Sequence, residues 1–109
     1  MAIKLDASDS TKYIWIFRKG NGQVFVSPSP AILKAGSYFT ILNKTTETVG
    51  VTFPPGVIRP RAFSVRPGRS KKVEVLDVSG YFEYDVSSKR ADPPFYAEGG
   101  SRPGVIIEH

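Results

Sequence analysis

Gly80-Tyr81-Phe82-Glu83-Tyr84-Asp85-Val86, followed by a polar, proline-containing stretch from Ser87 to Pro103 and the apolar run Val105-Ile106-Ile107, decides how this chain reads. Phe82, Tyr84 and Val86 alternate with Tyr81, Glu83 and Asp85, the period of two expected of a strand with one buried and one solvated face. Val105 to Ile107 is short and β-branched, and reads as a closing strand. The connection between them is about 17 residues long, and loops of that length in compact domains commonly carry function. Arg90, Phe95, Tyr96 and Arg102 supply it with the aromatic and guanidinium groups enriched where proteins bind one another. They form the candidate partner-binding loop, the alternative being that Phe95 and Tyr96 cap the end of a sandwich.

Working outward, the rest of the chain has the same character. Tyr13 to Phe17 is continuously apolar and is expected as a strand buried on both faces or at a sheet junction. Gly20-Asn21-Gly22 turns it into Gln23 to Ser27, and Ser27-Pro28-Ser29-Pro30 must interrupt a ladder because proline has no N–H to donate. Ala31 to Lys34 resumes an extended path. Ser37 to Asn43 and Val49 to Phe53 follow as strands around the polar turn Lys44 to Thr48. Phe63 and Val65 share one side of a further strand, and Pro67-Gly68 turns the chain into Val73-Glu74-Val75. Helical periodicity is absent. About eight short strands punctuated by Gly and Pro predict an all-β, antiparallel Greek-key sandwich.

A length of 109 residues is one domain's worth, enough to close a single core without staples. Residues 1–12 read as an N-terminal extension and 13–109 as the domain. No apolar run approaches a membrane-spanning helix, and the first residues do not read as a secretory signal. A cytoplasmic location is therefore expected if the chain is complete, and a periplasmic or secreted one if a signal has been removed. With no cysteine, one histidine (His109) and one methionine (Met1), thiol catalysis, iron–sulfur clusters and zinc–cysteine sites are excluded. A Ser-His-Asp triad lacks its internal base. Glu83 and Asp85, two apart on one strand face and so about 7 Å from each other, are a carboxylate pair of the kind considered for a glycosidase, wider than the roughly 5–5.5 Å of a retaining one. Their alternation with apolar residues instead marks a solvated strand face, and no enzyme is expected.

Four segments in order, Ala35 to Asn43, Val65-Arg66-Pro67-Gly68-Arg69-Ser70, Gly80 to Val86 and Gly100 to Ile107, resemble the cupredoxin family over about residues 24 to 107. The resemblance implies a cupredoxin-like sandwich. In blue-copper members a histidine follows the asparagine-ending strand, and a cysteine, a second histidine and usually a methionine come from the final loop. The corresponding positions here are Val49, Val86, a residue near Lys89 and approximately Ser101. A blue-copper site needs two imidazoles and a thiolate, and valine has no lone pair to offer. The resemblance thus implies the fold without its usual metal chemistry, and no cofactor is expected. Electron transfer through copper on atypical ligands is the least favoured alternative.

The formal net charge is +5. No acidic residue falls between Glu47 and Glu74, whereas Arg59, Arg61, Arg66, Arg69, Lys71 and Lys72 all do. This candidate anion patch suits phosphates or an acidic partner, although edge strands also carry such cations to prevent aggregation. Phe63 is the only aromatic in that window, which argues against nucleic acid. The expectation is a noncatalytic, copper-free module that binds an unknown protein partner, or an acidic ligand, through the loops Lys44 to Thr48 and Ser87 to Pro103.

Overall fold

The computed structural model describes residues 11–18, 24–88, 96–97 and 102–109. Among them are twelve strands and no helix: β1 (Tyr13–Arg18), β2 (Val24–Ser27), β3 (Ala31–Lys34), β4 (Tyr38–Asn43), β5 (Val49–Thr52), β6 (Ile58–Arg59), β7 (Ala62–Val65), β8 (Ser70–Val75), β9 (Gly80–Glu83), β10 (Asp85–Ser88), β11 (Tyr96–Ala97) and β12 (Gly104–Glu108). The expected all-β sandwich is present. A six-stranded sheet, β11-β2-β1-β4-β8-β6, packs against two three-stranded sheets, β10-β5-β7 and β3-β12-β9.

The pairing is mixed rather than purely antiparallel. β1 runs parallel to β4, β2 to β11, and β3 to β12, because the chain crosses between layers before returning beside an earlier strand. The prolines drive one such crossing: β2 ends at Ser27 beside β1, and after Pro28 and Pro30 the chain enters the opposite layer as β3, beside β12. The expected strand over Tyr81 to Val86 is in fact two. β9 pairs with β12, opposite Gly104, whereas β10 pairs with β5, opposite Thr52. A single extended stretch therefore changes partner at Tyr84, as strands do at sandwich corners.

One core lies between the layers. Ile14, Ile16, Phe39, Ile41, Val73 and Val75 of the large sheet meet Val49, Val51, Val65, Val86, Leu33, Val105 and Ile107 of the small ones, all at most 2% exposed. Burying each such side chain contributes roughly 1.5–3 kcal/mol, so the layers cannot slide without large loss. The expectation for Tyr13 to Phe17 is corrected here. Ile14 and Ile16 point inward, but Tyr13 and Trp15 face solvent at 53% and 40% exposure. Among the described residues no layer covers the outer face of the large sheet, so the apolar run is half surface.

Tyr84 marks the joint between the small sheets. Its N–H donates to the Pro103 carbonyl at 3.0 Å, and its ring stacks on Phe53 at 4.3 Å with planes 8° apart. Its hydroxyl is buried with no hydrogen-bond partner among the described residues, and desolvation pushes its pKa far above the ordinary 10.0.

Candidate functional site

One end of the sandwich is organised by Asn43, which is fully buried. Its Nδ2 donates to the carbonyls of Glu47 at 2.7 Å and Val65 at 2.9 Å. Its Oδ1 accepts from the N–H of Thr45 at 2.9 Å and from the Thr45 hydroxyl at 2.7 Å. The backbone completes the tie: the Asn43 N–H donates to the Arg69 carbonyl, and its own carbonyl accepts from the Gly68 N–H, both at 2.9 Å. Gly68 has φ 72°, a left-handed conformation that glycine adopts without cost. Asn43 thereby ties the Lys44–Thr48 turn through its side chain and the Pro67–Gly68 turn through its backbone, with every polar atom of the side chain satisfied.

Val49 and Val86 lie just inside this end. Val49 stands opposite Ser88 on one side and Val65 on the other, and Val86 opposite Val51. Both are fully buried and belong to the continuous apolar core. Neither side chain carries a donor atom, so these residues do not fit a copper ion. Lys89 and Ser101 lie outside the described residues. The histidine of the chain cannot compensate, because His109 follows β12 at the other end, with Nδ1 3.4 Å from Asp77 Oδ1. Among the described residues no three His, Cys, Asp or Glu side chains cluster as metal ligands do.

The candidate loop is only partly described. Arg90 and Phe95 lie outside the described residues, and of Tyr96 only the backbone is described, parallel to β2 at Phe25. Arg102 is engaged within the chain: it bonds Asp85 and stands 3.9 Å from Glu83. That contact bridges the two exposed carboxylates considered as a catalytic pair. Tyr81 joins them, its hydroxyl donating to Glu83 at 3.4 Å. Desolvation, the Glu83 charge and this hydrogen bond raise the Tyr81 pKa above 10.0, and Arg102 opposes them.

The basic segment does not form one patch. Arg59 pairs across the sheet with Glu74, 3.7 Å away, and the Arg61 Nε donates to the Phe53 carbonyl at 3.0 Å. Both sit at the end remote from Asn43. Arg66, Arg69 and Lys71 gather at the Asn43 end, about five residues or roughly 16 Å along the strand from Arg61. Lys72 alternates onto the outer face, its ammonium 5.0 Å from the ring centroid of Tyr38.

No family model and no curated protein matches the chain. Solved structures do. A copper(I) methionine-to-alanine mutant of amicyanin superposes with a TM-score of 0.59 at 16% identity, covering 90% of this chain and 82% of that one. A reduced copper(I) form, at pH 4, of a proline-to-glycine mutant of amicyanin gives the same TM-score and identity, over 96% and 86%. The chain has the cupredoxin fold. Lac15 from a marine microbial metagenome contains a similar region, with a TM-score of 0.50 at 15% identity over 91% of this chain and 32% of its own. At these identities the likeness is one of fold. In this cupredoxin-like sandwich Asn43 anchors one end, and buried valines stand at positions 49 and 86, where the resemblance would put copper ligands.

Reading the sequence missed the outer face of the six-stranded sheet. Tyr13, Trp15 and Tyr38 are exposed there, and Lys44 lies over Trp15 at 5.3 Å. The available signal was the alternation in Tyr13-Ile14-Trp15-Ile16, hidden because both sets are apolar.

Proposed function

We propose that this chain is a noncatalytic, copper-free cupredoxin module that binds an acidic protein partner through the Asn43 end of the sandwich. The observation that carries the proposal is the single buried asparagine that ties both turns of that end, one through its side chain and one through its backbone, while Arg66, Arg69 and Lys71 stand exposed beside them. Among the described residues these three cations have no carboxylate within salt-bridge distance. A surface already rigid loses little conformational entropy on binding, and exposed arginines suit protein interfaces while speeding encounter with an acidic surface. β10 ends at Ser88, opposite Val49, so the described part of the candidate loop leaves the sheet at this same end.

The test uses immobilised heparin as a polyanionic stand-in. Retention should fall steeply with salt, and the Arg66→Ala/Arg69→Ala double variant should elute at clearly lower salt than Arg59→Ala/Arg61→Ala, whose cations have partners. Absent or salt-insensitive retention, or equal shifts from the two pairs, would overturn the reading.

A further inference from the structure

The solvent-facing side of the six-stranded sheet carries a second constellation, which meets the Asn43 end only at Lys44. Tyr13 and Trp15, two apart on β1, present their rings outward with centroids 6.4 Å apart. On the neighbouring strand Thr40 stands opposite Tyr13, so that Tyr38 lies diagonally beside it. A depression of about 340 Å³ is lined by both tyrosines together with Thr40, Lys12 and Lys72. Tyr13, Trp15 and Tyr38 are 53%, 40% and 54% exposed, and ammonium groups stand 5.3 Å from the Trp15 ring and 5.0 Å from the Tyr38 ring.

We infer that this face binds single-stranded nucleic acid, with bases stacked on Tyr13, Trp15 and Tyr38 and the intervening phosphates met by Lys12, Lys44 and Lys72. Every base has a π-face, so a row of exposed rings beside a positive track binds a single strand with little sequence preference. The depression is large enough to seat a planar group against the tyrosines, and the Thr40 side chain can hydrogen-bond a base edge. Glu74, which the register places opposite Tyr38, is held by Arg59, so its charge is offset at the edge of the track. Lysine is depleted at protein interfaces, which favours a phosphate ligand over a protein. A second copy of this chain laid face to face would bring the same lysines against one another, a like-charge contact that opposes association.

Trp15 is the only tryptophan in the chain, so its emission reports directly on this face. The full chain is titrated with a single-stranded oligothymidylate at low salt, beside a duplex of equal length. Saturable quenching is expected, with weaker binding of the duplex. If three ammonium groups each neutralise one phosphate, log K should fall with log salt at a slope of about −2. Tyr13→Ala/Tyr38→Ala should weaken binding about tenfold or more. Lys12→Ala/Lys72→Ala should flatten the slope by about 1.4. Arg66→Ala/Arg69→Ala should change the affinity less than about threefold, which separates this face from the end proposed above. Circular dichroism checks that each variant is folded; should the tyrosine pair be unfolded, the lysine pair decides. Absent quenching, equal affinity for duplex, or binding lost with the arginine pair but kept with the tyrosine pair would each overturn the inference. So would a sedimenting dimer whose formation buries Trp15.

Discussion

Replacing Tyr84 by phenylalanine should stabilise the protein. The ring is 1% exposed and stacks on Phe53 at 4.3 Å, a contact phenylalanine preserves. What is removed is a hydroxyl that has lost its water and found no partner among the described residues. An unsatisfied buried polar group costs about 1–3 kcal/mol, and relief of 1–2 kcal/mol is expected once the small void left by the oxygen is charged against it. For a chain of 109 residues the unfolding entropy is about 0.23 kcal/mol per kelvin, so Tm should rise about 4–8 °C. The assay is thermal unfolding followed by circular dichroism at neutral pH. A second reading comes from alkali. The folded-state pKa of Tyr84 is raised well above 10.0, so its proton is held more tightly in the folded chain. Stability is then constant below pH 10 and falls above it as the unfolded state ionises first, by up to about 1.4 kcal/mol per pH unit from this group. Tyr84→Phe should lack that component. An unchanged or lowered Tm, with the alkaline loss intact, would refute the reasoning by showing that the hydroxyl is partnered in the native state.

Asn43→Ala strands the Val65 carbonyl and the Thr45 N–H and leaves the Glu47 carbonyl only the Thr45 hydroxyl, and should cost about 2–4 kcal/mol by urea denaturation, with Thr45→Val costing about 1–2; a loss under 1 kcal/mol for Asn43→Ala would show that water replaces the amide. Titration with Cu(II) or Cu(I) should give neither a thiolate charge-transfer band nor a thermal shift, because valine offers no donor at positions 49 and 86; an intense visible band would contradict the site as described. Arg102→Ala leaves Glu83 and Asp85 mutually repulsive on an exposed face, and should change stability by less than about 1 kcal/mol, which denaturant midpoints with matched m-values would check.

The sandwich was legible because alternation and punctuation survive in isolated segments. Phe82, Tyr84 and Val86 are half-buried or buried, and Tyr81, Glu83 and Asp85 exposed, as their period of two requires. Three features were not legible, each for the same reason. The partner change at Tyr84, the parallel pairings, and the division of the basic segment all depend on which strand lies alongside, and strand neighbours are set by crossovers that local pattern does not encode. Asn43 illustrates the point from the other side. As an asparagine ending a strand it reads as a turn residue, and only the return of Val65 and Arg69 to the same place turns it into the anchor of two loops. Arg102 likewise reads as a free guanidinium in a long loop, until the register of β12 against β9 sets Gly104 opposite Glu83 and brings the side chain onto the two carboxylates.

The two valines also account for why such a sandwich can hold its shape without metal chemistry. A ligand-bearing end must keep polar donors aimed into a pocket beneath its loops, and burying them without a metal costs several kcal/mol. Val49 and Val86 reverse that balance: each is fully buried and adds about 1.5–3 kcal/mol of apolar burial at the place where the donors would have been. The Asn43 network then has one task, to hold two turns shut over an apolar core, and it does so with backbone partners alone except for Thr45. Among the described residues, an end stabilised in this way does not rely on the side chains it displays outward, which leaves them free to vary. That freedom is where Arg66, Arg69 and Lys71 stand, and it makes surface recognition, rather than chemistry inside the sandwich, the property on which this chain can be tested.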